Sequence, residues 1–367
     1  ARSIFIHWGQ EMFDQAGTVR EMVKWDYELR SERQLETVVD RAINVAMSEP
    51  RGPIYMTLPR EVLAEGAGEF SYQSPTRRQI AHPPAGDPNA VDQAAEWISK
   101  AERPLIIASS FGQDRGVVAD FESMAERFAL PVVTYRPRYL SMATDHPMHL
   151  GFEPGELIKR ADVILTVESD VPWIPSLHAP NPEAKIIQLG IDPLYTKYPM
   201  RSFPCDLAIA GSPTSVIPAL TEALADREKA ATPRIDARRI RIAERHGKLR
   251  EGWAAKLESA KNGGPTDASW VAHCIDQVKG DDDIMVSESQ LALTNLVFRN
   301  PGTFFGTGPS GGLGWGAGAA LGVALSIFYA ESDQCHRISV FFVLNNDDGT
   351  KSEYILECWS KENRHCR

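Results

Sequence analysis

A chain of 367 residues is longer than one hydrophobic core supports, and at about 150 residues per domain it predicts two or three domains. Its 43% hydrophobic and 24% charged residues are typical of a globular protein. The net charge of −10 disfavours nucleic acid and anionic membranes as main partners. The five cysteines are scattered and odd in number, which disfavours a disulfide framework and indicates a cytoplasmic protein.

The first part of the chain predicts an α/β layer. Apolar residues at helical spacing predict a helix over residues 36–48, and a short apolar run closed by Pro59 predicts a strand over residues 54–58. A mixed helical stretch is predicted over residues 18–29. Residues 67–91 are rich in Gly, Pro, Ser and Gln without periodicity, which predicts a linker.

Residues 92–228 alternate between helical segments and apolar runs. The runs, which predict strands, are at residues 104–109, 130–135, 162–167 and 184–192. Strands without polar alternation are buried on both faces, which is typical of a doubly wound parallel sheet. The loop after the first strand lacks a Gly-x-Gly-x-x-Gly fingerprint. Asp192 ends a strand as a ribose-binding acid does, although acids that end strands are common.

Residues 229–265 predict a charged linker helix. Its arginines are interleaved with glutamates and lack an accompanying aromatic set, so a solvated helix is favoured over a nucleic-acid patch. A third unit follows. In it, strands are predicted at residues 283–286 and 303–306, and a helix is predicted to open at residues 287–291 and to end at Arg299.

The glycine-dense segment 305–325 combines glycines with apolar residues. Such glycines suggest positive φ angles or the close approach of a ligand, at a loop that feeds a helix N-terminus. Two alternatives are a plain buried helix and a membrane helix, because residues 313–330 carry no charge and Gly314, Gly318 and Gly322 form a small-residue ladder. A P-loop is excluded, since no Gly-Lys-Ser/Thr follows.

Several segments together resemble the thiamine diphosphate enzymes of the acetolactate synthase and benzoylformate decarboxylase type. The cofactor segment of that family is similar to Ser310-Gly-Gly-Leu-Gly-Trp-Gly-Ala-Gly-Ala-Ala-Leu-Gly. The strand that ends its magnesium motif is similar to Ile338-Ser-Val-Phe-Phe-Val-Leu-Asn-Asn346. Its pyrimidine-binding domain is similar to Gly52-Pro-Ile-Tyr-Met-Thr-Leu-Pro-Arg-Glu-Val62 and, in degenerate form, to Gly9-Gln-Glu-Met-Phe-Asp-Gln15. The segments stand in the family's order.

The resemblance implies three doubly wound parallel-sheet domains in the order pyrimidine-binding, central and diphosphate-binding. Residues 1–66 would be the C-terminal part of the first, residues 92–228 the second and residues 266–367 the third, with linkers at 67–91 and 229–265. It also implies a homodimer or homotetramer that holds the cofactor between two chains.

The same resemblance assigns the cofactor-binding residues. Leu313 would prop the bent thiamine diphosphate, and Gly311, with Gly312 beside it, would offer a carbonyl to its pyrimidine amino group. Gln290 and Leu291, at the predicted helix start, would give backbone N–H groups to the diphosphate.

Magnesium would be held by the side chain of Asn346 and the backbone carbonyl of Asp348. The Gly-Asp-Gly half of the family's magnesium motif is absent, as if a strand and its loop had been lost between Leu325 and Ile327. The glutamate that activates the cofactor lies, in the family, ahead of the segment present here. These departures predict an incomplete chain and leave the catalytic residue unassigned.

The implied activity is thiamine diphosphate- and Mg²⁺-dependent cleavage or formation of C–C bonds on 2-oxo acids. A 2-hydroxyacyl-CoA lyase and a non-catalytic homologue are the alternatives. FAD is not expected, because residues 167–173 stand where flavin-binding relatives carry a Gly-x-Arg-Phe-Asp type segment. Among candidate substrate-side histidines the sequence does not choose between His7, His146, His149 and His178.

Overall fold

The computed structural model of this protein describes most of the chain. The described residues are 12–66, 80–261, 267–288, 291–308, 311–312, 314–330, 338–345 and 351–358. The chain divides into two compact units, residues 1–84 and residues 85–367. Among the described residues, no helix is both long and apolar enough to cross a membrane.

The N-terminal unit contains a pair of short parallel strands and one long helix. In chain order its elements are β1 (Trp25–Glu28), α1 (Leu35–Met47), β2 (Ile54–Thr57) and α2 (Arg60–Ala64). The helix and the second strand were predicted. The helical prediction over residues 18–29 is wrong at its C-terminal end. There Trp25 and Tyr27 alternate onto one face of β1, and their rings stack at 5.6 Å.

The second unit begins with a five-stranded, all-parallel sheet covered by helices. Its elements are α3 (Pro88–Lys100), β3 (Pro104–Ala108), α4 (Arg115–Arg127), β4 (Val132–Thr134), α5 (Gly155–Arg160), β5 (Val163–Val167), β6 (Lys185–Gly190), β7 (Leu207–Ala210) and α6 (Pro213–Ala225). The strand order is β4-β3-β5-β6-β7. The sheet confirms the predicted α/β fold. Strand β7 was not predicted, because its four residues follow an irregular stretch that contains Pro204.

The central sheet is buried on both faces. Every residue of β3 and β5 is buried, including the consecutive Ile106 and Ile107, which point to opposite faces. Each such side chain contributes about 1.5–3 kcal/mol on burial. Ile106 stands opposite Leu165 in the parallel register. The continuous apolar runs therefore indicated the doubly wound sheet correctly.

Helix α7 (Glu228–Lys261) packs along the central sheet domain. Ile235, Arg238 and Ile242 are buried on one of its faces, at helical spacing. The prediction of a solvated helix is therefore wrong for this face. Two isoleucines among the charged residues pack it against the core of the sheet domain.

The C-terminal part of the second unit carries two further pairs of strands. Its elements are α8 (Ala268–Val278), β8 (Met285–Ser287), β9 (Phe304–Gly306), α9 (Trp315–Ala330), β10 (Ile338–Asn345) and β11 (Lys351–Cys358). Strands β8 and β9 are parallel, so their carboxyl ends, at Ser287 and Gly306, lie side by side. Strands β10 and β11 are antiparallel.

The predicted helix up to Arg299 is wrong. Residues 293–295 form a single 3₁₀ turn, and the chain then extends as far as Phe298. The backbone N–H of Phe298 donates to the Thr144 hydroxyl at 3.0 Å, and Thr144 N–H donates to the Phe298 carbonyl at 2.9 Å. These tertiary hydrogen bonds, together with the burial of Leu296 and Phe298, replace the helical bonds that the sequence pattern suggested.

Helix α9 runs without a break through Leu325, Ser326 and Ile327. It packs on β8 and β9 through Ala320, which contacts the buried Val286, whereas Leu321 and Leu325 are 61% and 57% exposed. The alternative of a fully buried helix does not hold within this chain. The segment predicted to be missing between Leu325 and Ile327 stays a prediction.

Candidate functional site

A cleft of about 420 Å³ lies where the carboxyl ends of several strands meet. One wall follows β4 and β5 and includes Arg138 and Asp170. The other follows β8 and β9 and includes Glu288 and Thr307. The carboxyl edge of parallel strands is where α/β folds usually bind ligands. This cleft is therefore the candidate functional site.

The predicted cofactor segment leaves this cleft at Gly308 and leads into α9. Gly311 and Gly314 have φ angles of 59° and 90°. Both values lie in the left-handed region, which glycine adopts without the steric cost of a Cβ. A Cβ built at Gly311 or Gly312 would meet no atom within 4 Å, so both glycines border open space. The segment therefore has the left-handed backbone conformation and the open space that a ligand-binding loop requires.

The N-terminus of α9 holds a carboxylate. Glu288, which directly follows β8, accepts hydrogen bonds of 2.5 Å from the backbone N–H groups of Gly314 and Gly316, one at each carboxylate oxygen. A helix start favours anions because its first N–H groups are unpaired and the helix dipole is positive there. The donor set at this helix start therefore fits an oxyanion such as a diphosphate.

The structure brings part of the predicted site together. Leu291 lines the cleft and is half-buried against the apolar cluster of Phe298 and Phe304. Gly311 and Gly312 are exposed beyond it. Four further predicted residues lie outside the described residues: Gln290, Leu313, Asn346 and Asp348. Within the described ranges, no group of three or more His, Cys, Asp or Glu side chains could hold a metal ion.

Sequence reasoning did not assign Glu288 or Glu153. Both carboxyls line the cleft. Partial burial raises the pKa of Glu153, against the charges of His178 and Arg136, which lower it. A carboxyl with a raised pKa in a ligand cleft is suited to acid–base work. The only sequence signal was that Glu288 directly follows a strand.

Asp170 lies in the wall of the cleft and is fully engaged. Arg138 donates to Asp170 Oδ2, and the Tyr198 hydroxyl donates to the same oxygen at 3.1 Å. Arg201 donates from Nε to the Asp170 carbonyl at 2.8 Å and from Nη1 to Gln188 Oε1 at 2.8 Å. These bonds hold the loop after β5, so Asp170 is a structural carboxylate.

At the carboxyl end of β6, two carboxylates form hydrogen bonds with other residues of the protein. Asp192 accepts from both the backbone N–H and the hydroxyl of Thr196 at 2.8 Å, so it caps a turn, in agreement with its interpretation as a common strand-end acid. Glu168 accepts from Ile191 N–H at 2.7 Å and lies against Gly190. These two carboxylates are thus used within the fold.

His149 is a buried histidine behind the cleft. It is 0% exposed, and its Nε2 lies 2.8 Å from the Thr134 hydroxyl. Burial first, and then the charges of Arg250 and His246, lower its pKa to about 3. His149 is therefore neutral in the folded protein at physiological pH.

We expect His149 to make the fold acid-sensitive. The unfolded chain takes up this proton near pH 6.5 and the folded chain only near pH 3, so the stabilisation is present above pH 6.5 and is lost as the pH falls. Urea unfolding should show a loss of about 2 kcal/mol from this residue between pH 7 and pH 5. H149Q, which does not titrate, should reduce the acid-induced loss by that amount, whereas H82Q at an exposed position should not. An unchanged pH dependence in H149Q would contradict this assignment.

We expect Gly314→Ala and Gly318→Ala to have opposite effects on α9. At Gly314 a Cβ is strained by the φ of 90°, which costs roughly 1–2 kcal/mol. At Gly318, inside the helix, a Cβ meets no atom within 4 Å, and alanine should gain about 1 kcal/mol of helix propensity. Hydrogen–deuterium exchange over residues 314–326 should become faster in G314A and slower in G318A. Slower exchange in both variants would show that the turn does not need glycine.

Fold and cleft together define an α/β protein with a candidate ligand site at the carboxyl edge of its parallel strands. Comparison with known proteins makes the class more specific. Residues 91–220 match the model of the thiamine pyrophosphate enzyme central domain. Acetolactate synthase of Arthrospira platensis is 24% identical over 336 residues, which are 85% of this chain and 55% of the relative. Benzoylformate decarboxylase of Pseudomonas aeruginosa is 24% identical over 321 residues, 83% of this chain and 56% of the relative.

A solved structure has a similar fold. The crystal structure of benzoylformate decarboxylase from Polynucleobacter necessarius superposes with a TM-score of 0.65 at 18% identity, over 89% of this chain and 60% of that one. The chain is thus similar to thiamine diphosphate-dependent enzymes, and the family resemblance predicted from its sequence is confirmed. It spans about half the length of the curated relatives it matches.

Proposed function

We propose that the protein is a thiamine diphosphate- and Mg²⁺-dependent enzyme that cleaves or forms C–C bonds of 2-oxo acids, as an acetolactate synthase-like decarboxylase or carboligase. The observation that carries the proposal is the oxyanion-binding start of α9, fed by a glycine turn at the edge of the cleft. The relatives named acetolactate synthase and benzoylformate decarboxylase support the same chemistry.

The proposed roles of the cofactor-binding residues are those that the family resemblance implies. Gln290 and Leu291 give N–H groups to the diphosphate, and Gly311, followed by Gly312, offers its carbonyl to the pyrimidine. Leu313 supports the bend between the two rings. When bound, thiamine diphosphate supplies the electron sink that decarboxylation of a 2-oxo acid requires.

The family resemblance assigns magnesium to Asn346 and to the Asp348 carbonyl, and both would supply the oxygen donors that this ion prefers. A diphosphate that used the α9 donors in addition to Gln290 and Leu291 would displace Glu288 from them or share them with it, because two anions compete for the same N–H groups. Glu153, with its raised pKa, is the acid–base candidate on the substrate side of the cleft.

The proposed domain organisation is the family's: residues 1–66 in a pyrimidine-binding domain, 92–228 in the central domain and 266–367 in the diphosphate-binding domain. We propose a cytoplasmic homodimer or homotetramer. The exposed Leu321 and Leu325 on α9 support an oligomer, because apolar side chains next to each other on a helix favour a covered face.

The experiment is a substrate screen on the full-length protein with thiamine diphosphate and Mg²⁺. Pyruvate, benzoylformate and a 2-hydroxyacyl-CoA are each supplied, and CO₂ release and carbon products are measured. CO₂ from a 2-oxo acid supports the proposal. Cleavage of only the thioester would replace it by a 2-hydroxyacyl-CoA lyase. Cofactor binding without turnover of any substrate would favour the non-catalytic homologue.

A further inference from the structure

A second cavity lies at the opposite edge of the central sheet from the candidate cleft. It has a volume of about 150 Å³, is partly open to the surface, and is lined by the starts of β3 and β4, by α5 and by α7. Amino and carboxyl ends of parallel strands lie at opposite edges, so this cavity is separate from the proposed cofactor site. The catalytic proposal makes no use of it.

The cavity is strongly cationic. Five arginines line it, against a single carboxylate, that of Glu102; the arginines are Arg103, Arg160, Arg238, Arg241 and Arg245. Glu102 is itself paired with Arg234, outside the cavity, at 3.2 Å. The carboxylate of the neighbouring Asp162 accepts hydrogen bonds from the backbone N–H groups of Glu102 and Arg103, at 2.6 and 3.0 Å. An excess of positive charge therefore faces the cavity.

Arg238 is buried and forms no direct ion pair among the described residues, although the charges of Asp162 and Glu102 act on it from further away. It is 3% exposed, its Nη1 donates to the Ile98 carbonyl at 3.3 Å, and its Nε has no hydrogen-bond partner. Burial lowers its pKa to about 10, so the guanidinium stays charged at neutral pH. A buried charge without a partner is costly, and a bound anion is one way to offset that cost.

The remaining walls of the cavity are apolar. They are formed by Pro104, Leu105, Pro131, Leu150, Leu157 and Ile242. A cavity of about 150 Å³ holds a molecule of the size of benzene. Guanidinium groups bind carboxylate and phosphate oxygens in bidentate geometry. The lining thus combines a cationic side for an oxyanion with an apolar side for a short hydrocarbon body.

We infer that this cavity between α7 and the amino edge of the central sheet is a binding site for a small organic oxyanion, a carboxylate or phosphate on a short apolar body. Arg238 and Arg241 contact the oxyanion from one turn of α7, and Arg245 and Arg160 close the rim. The site is independent of thiamine diphosphate. Its occupation would tie α7 to the sheet domain.

The test is a calorimetric titration of the full-length protein, without cofactor, at low ionic strength, because salt screens exposed arginines. The probes are butanoate, its neutral analogue butanamide, and propyl phosphate. We expect butanoate or propyl phosphate to bind at least ten-fold more tightly than butanamide, and the tighter of the two identifies the oxyanion. Equal affinity for butanoate, propyl phosphate and butanamide would overturn the proposal.

Variants locate the binding. R245Q and R160Q are at exposed positions, so they should fold and should weaken binding of the preferred oxyanion at least ten-fold in combination. R238M should abolish it. The control is R239Q on the same helix, because Arg239 donates to the carbonyls of Glu126 and Arg127 and does not line the cavity. Wild-type affinity in R238M and in the R245Q/R160Q double variant would overturn the assignment.

Discussion

Replacing Asn346 by alanine is expected to lower the affinity for thiamine diphosphate by about 100-fold in the presence of Mg²⁺. Asn346 directly follows β10 and is the side-chain oxygen that the resemblance assigns to the metal. Without that oxygen Mg²⁺ is held less tightly, and the diphosphate loses the cation that neutralises it. Calorimetric titration of the variant against wild type measures the difference.

The matched control is Asn345→Ala, at the adjacent residue, to which no ligand role is assigned. N345A should keep wild-type affinity within a few-fold. Omitting Mg²⁺ should weaken wild-type binding but should change N346A little, since the variant has already lost the metal. An N346A protein that binds thiamine diphosphate as wild type does, with the same dependence on Mg²⁺, would remove Asn346 from the metal site.

Gly112→Ala is expected to destabilise the central domain by about 3 kcal/mol. A Cβ at Gly112 would lie 2.0 Å from the carbonyl oxygen of Leu140 and 2.5 Å from its carbon. These are backbone atoms, which cannot rotate away, so the segment at Leu140 would have to move. That segment continues from Arg138 and Pro137 in the wall of the cleft, so the change should also disturb ligand binding.

Gly116→Ala is the control for this change. Gly116 lies in the first turn of α4, where the nearest atom to a new Cβ is Asp114 Oδ1 at 3.5 Å, an ordinary contact. Urea unfolding should give G116A a stability at or slightly above that of wild type. Similar stabilities for G112A and G116A would show that the Gly112 contact is not tight.

The fold of the sheet domain was predictable from the sequence because its strands are continuous apolar runs. Residues 104–108 and 163–167 are buried on both faces, and runs of five residues between helical segments are short enough to favour a strand over a buried helix. The prediction failed where tertiary contacts override local pattern. Residues 296–298 extend because Thr144 binds Phe298, a contact made across more than 150 residues that no local window contains.

The candidate site was predictable only in part. The glycine segment could be predicted from its composition, because dense glycines suggest positive φ angles. Gly311 and Gly314 have such angles. The roles of Glu288, which binds the start of α9, and of Arg238, which is buried on one face of α7, were not predicted, since each depends on contacts far away in the chain. A lone acid after a strand and an arginine in a charged helix are common in sequences, and only burial and geometry distinguish them.

The most direct test of the central claim is calorimetric titration of the full-length protein with thiamine diphosphate, with and without Mg²⁺. We expect saturable binding that requires Mg²⁺. Thiamine diphosphate at 100 times its Kd should raise the free energy of unfolding by about 2.7 kcal/mol. The absence of measurable binding with Mg²⁺ present, and no change in unfolding, would contradict the proposal that this relative of thiamine diphosphate enzymes uses the cofactor.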